Sequence, residues 1–174
     1  MNSSKVSYLL PILFMILISH SPTPASSQSL YESVCKETGQ DAGLCLQLLK
    51  ANPQIPSAKN YRDLTKFILD LGITKGTQGQ NVLLNLLKTN PSPAIRQCAT
   101  FDYDGTIGSL KSAIRELPVD LQTAQYDARV AGDGPTNCAT AITAAKINNP
   151  TIVDINKMTS LLCKVAFLAI EHVS

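Results

Sequence analysis

The chain has 174 residues, and its 15 basic side chains nearly balance its 13 acidic ones. A chain so close to neutral lacks the concentrated positive charge that neutralises nucleic-acid phosphates. Aromatic residues make up 5% of the sequence, too few to provide the rings on which bases stack. Charge and composition therefore argue against nucleic acid as a partner.

The first 27 residues have the pattern of a secretory signal peptide. Lys5 precedes an apolar run at 9–18, and small residues with two prolines follow it. A membrane-spanning helix needs about 20 apolar residues, so we interpret this shorter run as a signal that is cleaved near Ala25 or Ser27. The pattern predicts a secreted protein with one mature domain at 28–174 and no membrane association after cleavage.

From residue 29 onwards the sequence predicts helices and no strand, because no segment sustains period-two alternation. Ser29 and Glu32 have the spacing of a capping box at the start of the first helix. A second segment ends at Pro91, and its apolar residues recur at helical spacing: Leu64, Phe67, Ile68, Leu71, Val82, Leu83, Leu86 and Leu87. Glycines at 72, 76 and 79 leave open whether this segment is one helix or is interrupted.

Three further amphipathic segments follow, at 94–117, 120–145 and from 151 onwards. With the segment before them they form four long helices joined by short connections. The predicted fold class is therefore all-α, an up-and-down four-helix bundle.

Cys35 and Cys45 predict a helical hairpin that precedes the bundle. On one straight helix, ten residues separate two Cα atoms by about 15 Å, whereas a disulfide requires about 4.4–6.8 Å. In an oxidising compartment such cysteines are expected to pair, and they can do so only if the chain reverses between them. The segment Gly39–Gly43 has suitable turn residues.

The spacing of Cys98 and Cys138 predicts a second disulfide, between neighbouring helices. Pro118 lies midway between them, so two antiparallel helices that turn there bring both sulfurs to the same height. Cys163 is then left over on the apolar stripe of the last helix. We expect a free, buried thiol, and an intermolecular disulfide or a reactive thiol is the alternative.

We expect no catalytic residue, metal site or cofactor. The mature chain has one histidine, His172, close to its end. Asp102-Tyr103-Asp104-Gly105-Thr106 matches the nucleophile motif of haloacid-dehalogenase-like phosphatases, but that chemistry needs the first Asp at the end of a buried parallel strand. As an EF-hand loop it would need Glu at the twelfth position, where Ala113 stands. We interpret Asp102 and Asp104 as part of a solvated helix face.

These features together resemble the plant invertase and pectin methylesterase inhibitor family. The segment around Cys35 and Cys45 is typical of it, and Ala131-Gly132-Asp133-Gly134 with Cys138 is similar to its A-x-D-G-x-x-x-C motif. The resemblance covers the whole mature chain. It implies an extracellular protein of the apoplast or cell wall that inhibits a carbohydrate-modifying enzyme.

The resemblance implies two possible target enzymes, pectin methylesterase and acid invertase. Many invertase inhibitors carry Pro-Lys-Phe between the helices that the second disulfide spans, and the corresponding segment Pro118–Thr123 lacks it. Cys163 is similar to an unpaired cysteine that is frequent in pectin methylesterase inhibitors. We therefore expect reversible one-to-one inhibition of pectin methylesterase over its substrate cleft, with acid invertase as the alternative. A small-ligand carrier is a third possibility, although the chain lacks the eight-cysteine pattern of plant lipid-transfer proteins.

The resemblance also implies that the helices at 94–117 and 120–145, which the Cys98–Cys138 pair would join, carry the enzyme-binding face. Only Asp133 and Gly134 match the family motif there, and helix position alone places the remaining candidates. The candidate contacts are Lys111, Arg115, Gln122, Gln125, Tyr126, Arg129, Asp133, Thr136 and Asn137. The alternative for each is an ordinary solvent-facing residue, and for Asp133 a residue that caps or turns the chain before Cys138.

Overall fold

A computed structural model describes residues 29–174, and all regular secondary structure in this range is helical. The predicted signal peptide at 1–27 lies outside the described residues. The helices are α1 (Leu30–Glu37), α2 (Ala42–Lys50), α3 (Tyr61–Thr89), α4 (Pro93–Gln97), α5 (Tyr103–Glu116), α6 (Leu121–Ala131), α7 (Asp133–Ala144) and α8 (Pro150–Glu171). A 3₁₀ turn, Gly39–Asp41, joins α1 to α2, and a π-helical segment, Cys98–Asp102, joins α4 to α5.

The helices confirm the predicted all-α four-helix bundle. Its four columns are α3, the α4–π–α5 column, the α6–α7 column and α8, and α3 packs against both α5 and α8. Side-chain caps begin three of the columns, because Asn60, Asp120 and Asn149 each accept hydrogen bonds from backbone N–H groups of the helix they precede. Within the described residues, no helix is long and apolar enough to cross a membrane.

The α3 helix runs without a break through its glycines. A Cβ atom on Gly79 would lie 2.6 Å from Ile155 of α8 and 3.1 Å from Tyr103 of α5. A Cβ atom on Gly76 would lie 3.4 Å from Ile107. These glycines therefore allow close packing of α5 and α8 against α3. The segment is one uninterrupted helix, which was one of the two alternatives that the sequence left open.

Two predicted helices are interrupted in ways that periodicity did not indicate. The predicted helix at 94–117 contains the π-helical segment Cys98–Asp102, and the predicted helix at 120–145 is divided at Gly132. Pro135 explains the second interruption, because it has no N–H to donate to the carbonyl of Ala131. Thr106 of α5 donates its hydroxyl to that carbonyl instead, at 2.9 Å.

The N-terminal hairpin packs against one end of the bundle. Its disulfide, Cys35–Cys45, has a Cα separation of 5.5 Å, and the capping box is present, with Ser29 N–H donating to Glu32 at 3.0 Å. Lys164 Nζ of α8 donates to the carbonyl of Thr38 at 3.0 Å. His172 lies 2.7 Å from the Glu37 carboxylate and stacks on the ring of Tyr61.

The apolar interior has two parts. The larger joins the hairpin to the bundle and includes Leu49, Leu64 and Leu162, while the smaller surrounds Cys98 and Cys138 and includes Tyr103. The Tyr103 hydroxyl donates to Asn156 Oδ1 at 2.9 Å, so its buried polar atom is satisfied.

Replacement of α3 glycines should separate close packing from helix propensity. Gly79→Ala should lower the free energy of unfolding, by about 2 kcal/mol at the upper end, because overpacking costs about 1–3 kcal/mol and the better helix propensity of alanine returns about 1 kcal/mol. Gly108→Ala is the matched control, since Gly108 lies within α5 with no atom near its Cβ position. The control should raise the free energy of unfolding. Equal effects of both substitutions in urea unfolding would contradict this account.

Candidate protein-binding face

The Cys98–Cys138 disulfide fixes the π-helical segment against α7. Its Cα separation is 4.8 Å, and both cysteines are fully buried. Asn156 of α8 donates to Cys138 Sγ at 3.3 Å. The disulfide thereby joins the α4–π–α5 column to the α6–α7 column, the two columns that the sequence analysis selected as the binding face.

Gly134 permits a backbone contact between α7 and the π-helical segment. A Cβ atom on Gly134 would overlap the carbonyl oxygen of Asp102 and the hydroxyl of Thr106. This contact explains why the A-x-D-G-x-x-x-C segment contains glycine at this position. Asp133 beside it is exposed at the first position of α7, where a negative charge stabilises the helix N-terminus.

A groove of about 580 Å³ runs between α5 and the α6–α7 column. Asp133 and Asn137 line it, together with Phe101 from the π-helical segment. Phe101 is 77% exposed, and the sequence analysis did not select it. On a regular α-helix Phe101 would lie close to the direction of buried Cys98, so its exposure depends on the π-helical geometry and had no signal in the sequence.

Tyr126 and Arg129 form an exposed pair on α6. Tyr126 is 56% exposed, and the guanidinium carbon of Arg129 lies 5.7 Å from the centroid of its ring. This cation–π contact orders two large side chains at the surface. Lys111 and Arg115 are exposed on the neighbouring helix α5.

The other candidates are divided among different surfaces. Gln122 and Gln125 line a groove of about 310 Å³ between α6 and the end of α8. Thr136 lines a groove of about 810 Å³ between α7 and α8, and its hydroxyl donates to the carbonyl of Gly132 at 2.9 Å. The structure therefore brings Asp133 and Asn137 together in one groove and places these three residues outside it.

The expectation that Asp102 is solvated is wrong. Its side chain is 3% exposed, whereas Asp104 is exposed and accepts a hydrogen bond from Gln80 at 2.6 Å. Asp102 follows the fully buried Cys98 by four residues, a spacing that places the two side chains on the same side of a helix. Burial raises the pKa of the Asp102 carboxyl, although a hydrogen bond from Gln97 opposes the shift.

Asp102 and the two disulfide cysteines form a compact cluster. A carboxylate oxygen and both Sγ atoms lie within 4.8 Å of one another. The sulfurs are bonded to each other, so they are not the thiolates that would bind a metal ion. Cys163 is a free thiol, 1% exposed, and burial raises its pKa to about 12.

Comparison with known proteins shows the family. A model of the family described as plant invertase/pectin methylesterase inhibitor matches residues 29–167. The chain is 28% identical over 141 residues to a pectinesterase inhibitor from Actinidia deliciosa, an alignment that covers 79% of this chain and 75% of the relative. This chain belongs to the plant invertase/pectin methylesterase inhibitor family.

Solved structures share the fold. A mutant form of a pectin methylesterase inhibitor from Arabidopsis is 22% identical, with a TM-score of 0.73 over 84% of this chain and 98% of that one. A crystal structure of a pectin methylesterase inhibitor from Arabidopsis thaliana is also 22% identical, with a TM-score of 0.62 over 83% of this chain and 95% of that one. At this identity the likeness shows the fold alone.

The cysteines provide a direct chemical test. Peptide mapping without reduction should recover Cys35 linked to Cys45 and Cys98 linked to Cys138. Iodoacetamide at about pH 8 should modify Cys163 at least about a hundredfold more slowly in the native protein than in the urea-unfolded protein, because the thiolate is the reactive form. A peptide that links Cys163 to Cys138 would contradict the helix arrangement.

Proposed function

We propose that this protein is secreted and inhibits a pectin methylesterase, through a reversible one-to-one complex that covers the substrate cleft. The name of the Actinidia deliciosa relative supports this target, as does the absence of Pro-Lys-Phe from Pro118–Thr123. Acid invertase is the alternative, since the family description includes both inhibitor types. Secretion to the apoplast or cell wall rests on the pattern of residues 1–27 and on the family.

The observation that carries the proposal is a rigid surface with large exposed side chains. Phe101, Tyr126 and Arg129 project from two helix columns that the Cys98–Cys138 disulfide joins. Side chains on a rigid scaffold lose little further freedom on binding. Tyrosine and arginine are also the residue types most enriched among energetically dominant contacts. We infer that these three side chains are the anchors of the interface.

The proposal assigns the protein no catalytic activity, metal or cofactor of its own. The phosphatase-like motif lies on the π-helical segment and the first turn of α5, not at the end of a strand in a parallel sheet. His172 contacts Glu37 and Tyr61, which accounts for it as a structural residue. The spaces described above are surface grooves, and this favours a protein-binding role over the small-ligand carrier.

Titration against both enzyme classes should identify the target. Oxidised, mature protein should abolish the activity of a susceptible plant pectin methylesterase at a molar ratio near one, and dilution should restore the activity because the complex is reversible. An acid invertase assayed at the same acidic pH is the control and should retain its activity. Inhibition of invertase alone would preserve the fold and family and reject the proposed target.

Truncation of the anchors should weaken inhibition without loss of the fold. Removing a dominant contact costs about 2 kcal/mol or more, which corresponds to about thirtyfold in affinity. We expect about this loss for Tyr126→Ala or Arg129→Ala, and a loss of at least about tenfold for Phe101→Ala. Circular dichroism should show unchanged helix content in each variant.

Matched controls come from an exposed part of α8 outside the proposed interface. Val153 is 57% exposed and Lys157 is also exposed, and both line the groove between α7 and α8. Val153→Ala and Lys157→Ala should leave inhibition unchanged. Full inhibition by a Tyr126→Ala/Arg129→Ala double variant would show that the proposed face is wrong.

A further inference from the structure

Asp102 has an unusual environment for an acidic residue. It is 3% exposed, and its carboxylate lies in the cluster with the sulfurs of the Cys98–Cys138 disulfide. Gln97 Nε2 donates to Oδ2 at a long 3.4 Å, and Oδ1 has no hydrogen-bond partner among the described residues. A carboxyl group in such a place is much easier to accommodate when neutral than when charged.

No cation compensates an ionised Asp102 among the described residues. The π-helical segment packs against α3, α4, α5 and α7. On the parts of α4, α5 and α7 nearest to it the titratable residues are Arg96, Tyr103, Asp104 and Asp133, and α3 carries none between 76 and 87. The described contacts include no ion pair or hydrogen bond from these residues to the Asp102 carboxylate. Burial therefore raises the pKa of Asp102 without opposition from a neighbouring positive charge.

Asp102 also sits at the contact that positions the binding face. Its carbonyl oxygen packs against Gly134 of α7, and Phe101, the exposed aromatic residue of the groove, directly precedes it. Asp102 lines the groove, but its Oδ1 atom is closed to solvent, so full hydration of the ionised carboxylate requires the π-helical segment and α7 to move apart. The same opening would move Phe101 relative to Asp133 and Asn137 on the other side of the groove.

We propose that Asp102 makes the protein-binding face acid-dependent: the neutral carboxyl stabilises the contact between the π-helical segment and α7, and ionisation loosens it. The inference of weaker inhibition at higher pH rests on the proposed function, whereas the loosening itself does not. Since the folded protein binds this proton more tightly than the open form, the stabilisation is complete at low pH. It is lost as the pH rises from the ordinary Asp pKa of about 3.9 in the open form to the raised pKa of the folded form, by at most tenfold in the opening equilibrium per pH unit for one proton.

Reduction of the buried disulfide measures this opening directly. The rate at which a phosphine reductant cleaves Cys98–Cys138 should be compared for the native protein and Asp102→Asn from about pH 3, below the ordinary Asp pKa, to about pH 7. The rate for the native protein is divided by the rate for Asp102→Asn at each pH, and this ratio cancels the pH dependence of the reagent. We expect this ratio to rise with pH by up to tenfold per unit, because the amide cannot ionise.

Three controls make the reduction experiment specific. Cys35–Cys45 in the same molecule should show a constant ratio, because it lies in the N-terminal hairpin. Asp104→Asn, an exposed neighbour, should behave like the native protein. With Asp102→Ala as the reference, the rate ratio should rise with pH as it does with Asp102→Asn, even if the overall stability of this variant differs. The test therefore depends on how the ratio changes with pH and not on its absolute value. A constant ratio for Cys98–Cys138 in both Asp102 variants would overturn the proposal.

Inhibition provides the second measurement. The inhibition constants of the native protein and Asp102→Asn should be compared against one pectin methylesterase at each pH, so that titration of the enzyme cancels in their ratio. The constant of the native protein divided by that of Asp102→Asn should be near one at about pH 3, below the ordinary Asp pKa, and should rise with pH in parallel with the reduction ratio. A rise in the reduction ratio with a constant inhibition ratio would overturn the coupling to binding. Absence of inhibition at every pH would reject the proposed function and leave the reduction result as the test of Asp102.

Discussion

The close contact between α7 and the π-helical segment is the constraint on which the rest of the candidate protein-binding face depends. Cys98 and Asp102 are four residues apart on one side of this contact, and Gly134 and Cys138 are four apart on the other. A Cα separation of 4.8 Å at the disulfide holds the two backbones together, and only a residue without a side chain fits where Gly134 meets Asp102. The disulfide and the glycine therefore act as parts of one constraint.

Two further features follow from this contact. Within the π-helical segment Phe101 is exposed to solvent and Asp102 beside it is buried, so an exposed aromatic side chain and a buried acid are adjacent at this contact. Pro135 ends the hydrogen-bond pattern of α6, and Thr106 satisfies the carbonyl group that this leaves free. Because Thr106 also contacts the Gly134 region, the interruption between α6 and α7 and the groove beside it share the same residues.

The fold was predictable from the sequence because helix periodicity shows which residues share a helix face, and cysteine spacing shows which parts of the chain must lie close together. The hairpin follows from the reach of a disulfide, and the antiparallel pair from the symmetry of Cys98 and Cys138 about Pro118. The π-helical segment was not predictable in this way, since it changes the register by a fraction of a turn and leaves no mark in an apolar pattern. For that reason Phe101 was missed, whereas Asp102 lies four residues after buried Cys98 and helical spacing alone would have placed it inward. The role of Gly79 also depended on neighbours, Tyr103 and Ile155, that no local pattern identifies.

The choice between target enzymes must depend on exposed residues, because the helices and disulfides define the scaffold of a family that includes inhibitors of both. The connection between α5 and α6 is informative in this respect. Asp120 accepts hydrogen bonds there from the backbone of Gln122 and Thr123 and from the Thr123 hydroxyl, and these bonds lower its pKa. Its side chain is committed to the start of α6, within the segment that lacks the invertase-type tripeptide. Pro118 and Val119, the latter 77% exposed, are apolar side chains at this turn, and the exposed aromatic rings nearby on the two columns are those of Phe101 and Tyr126.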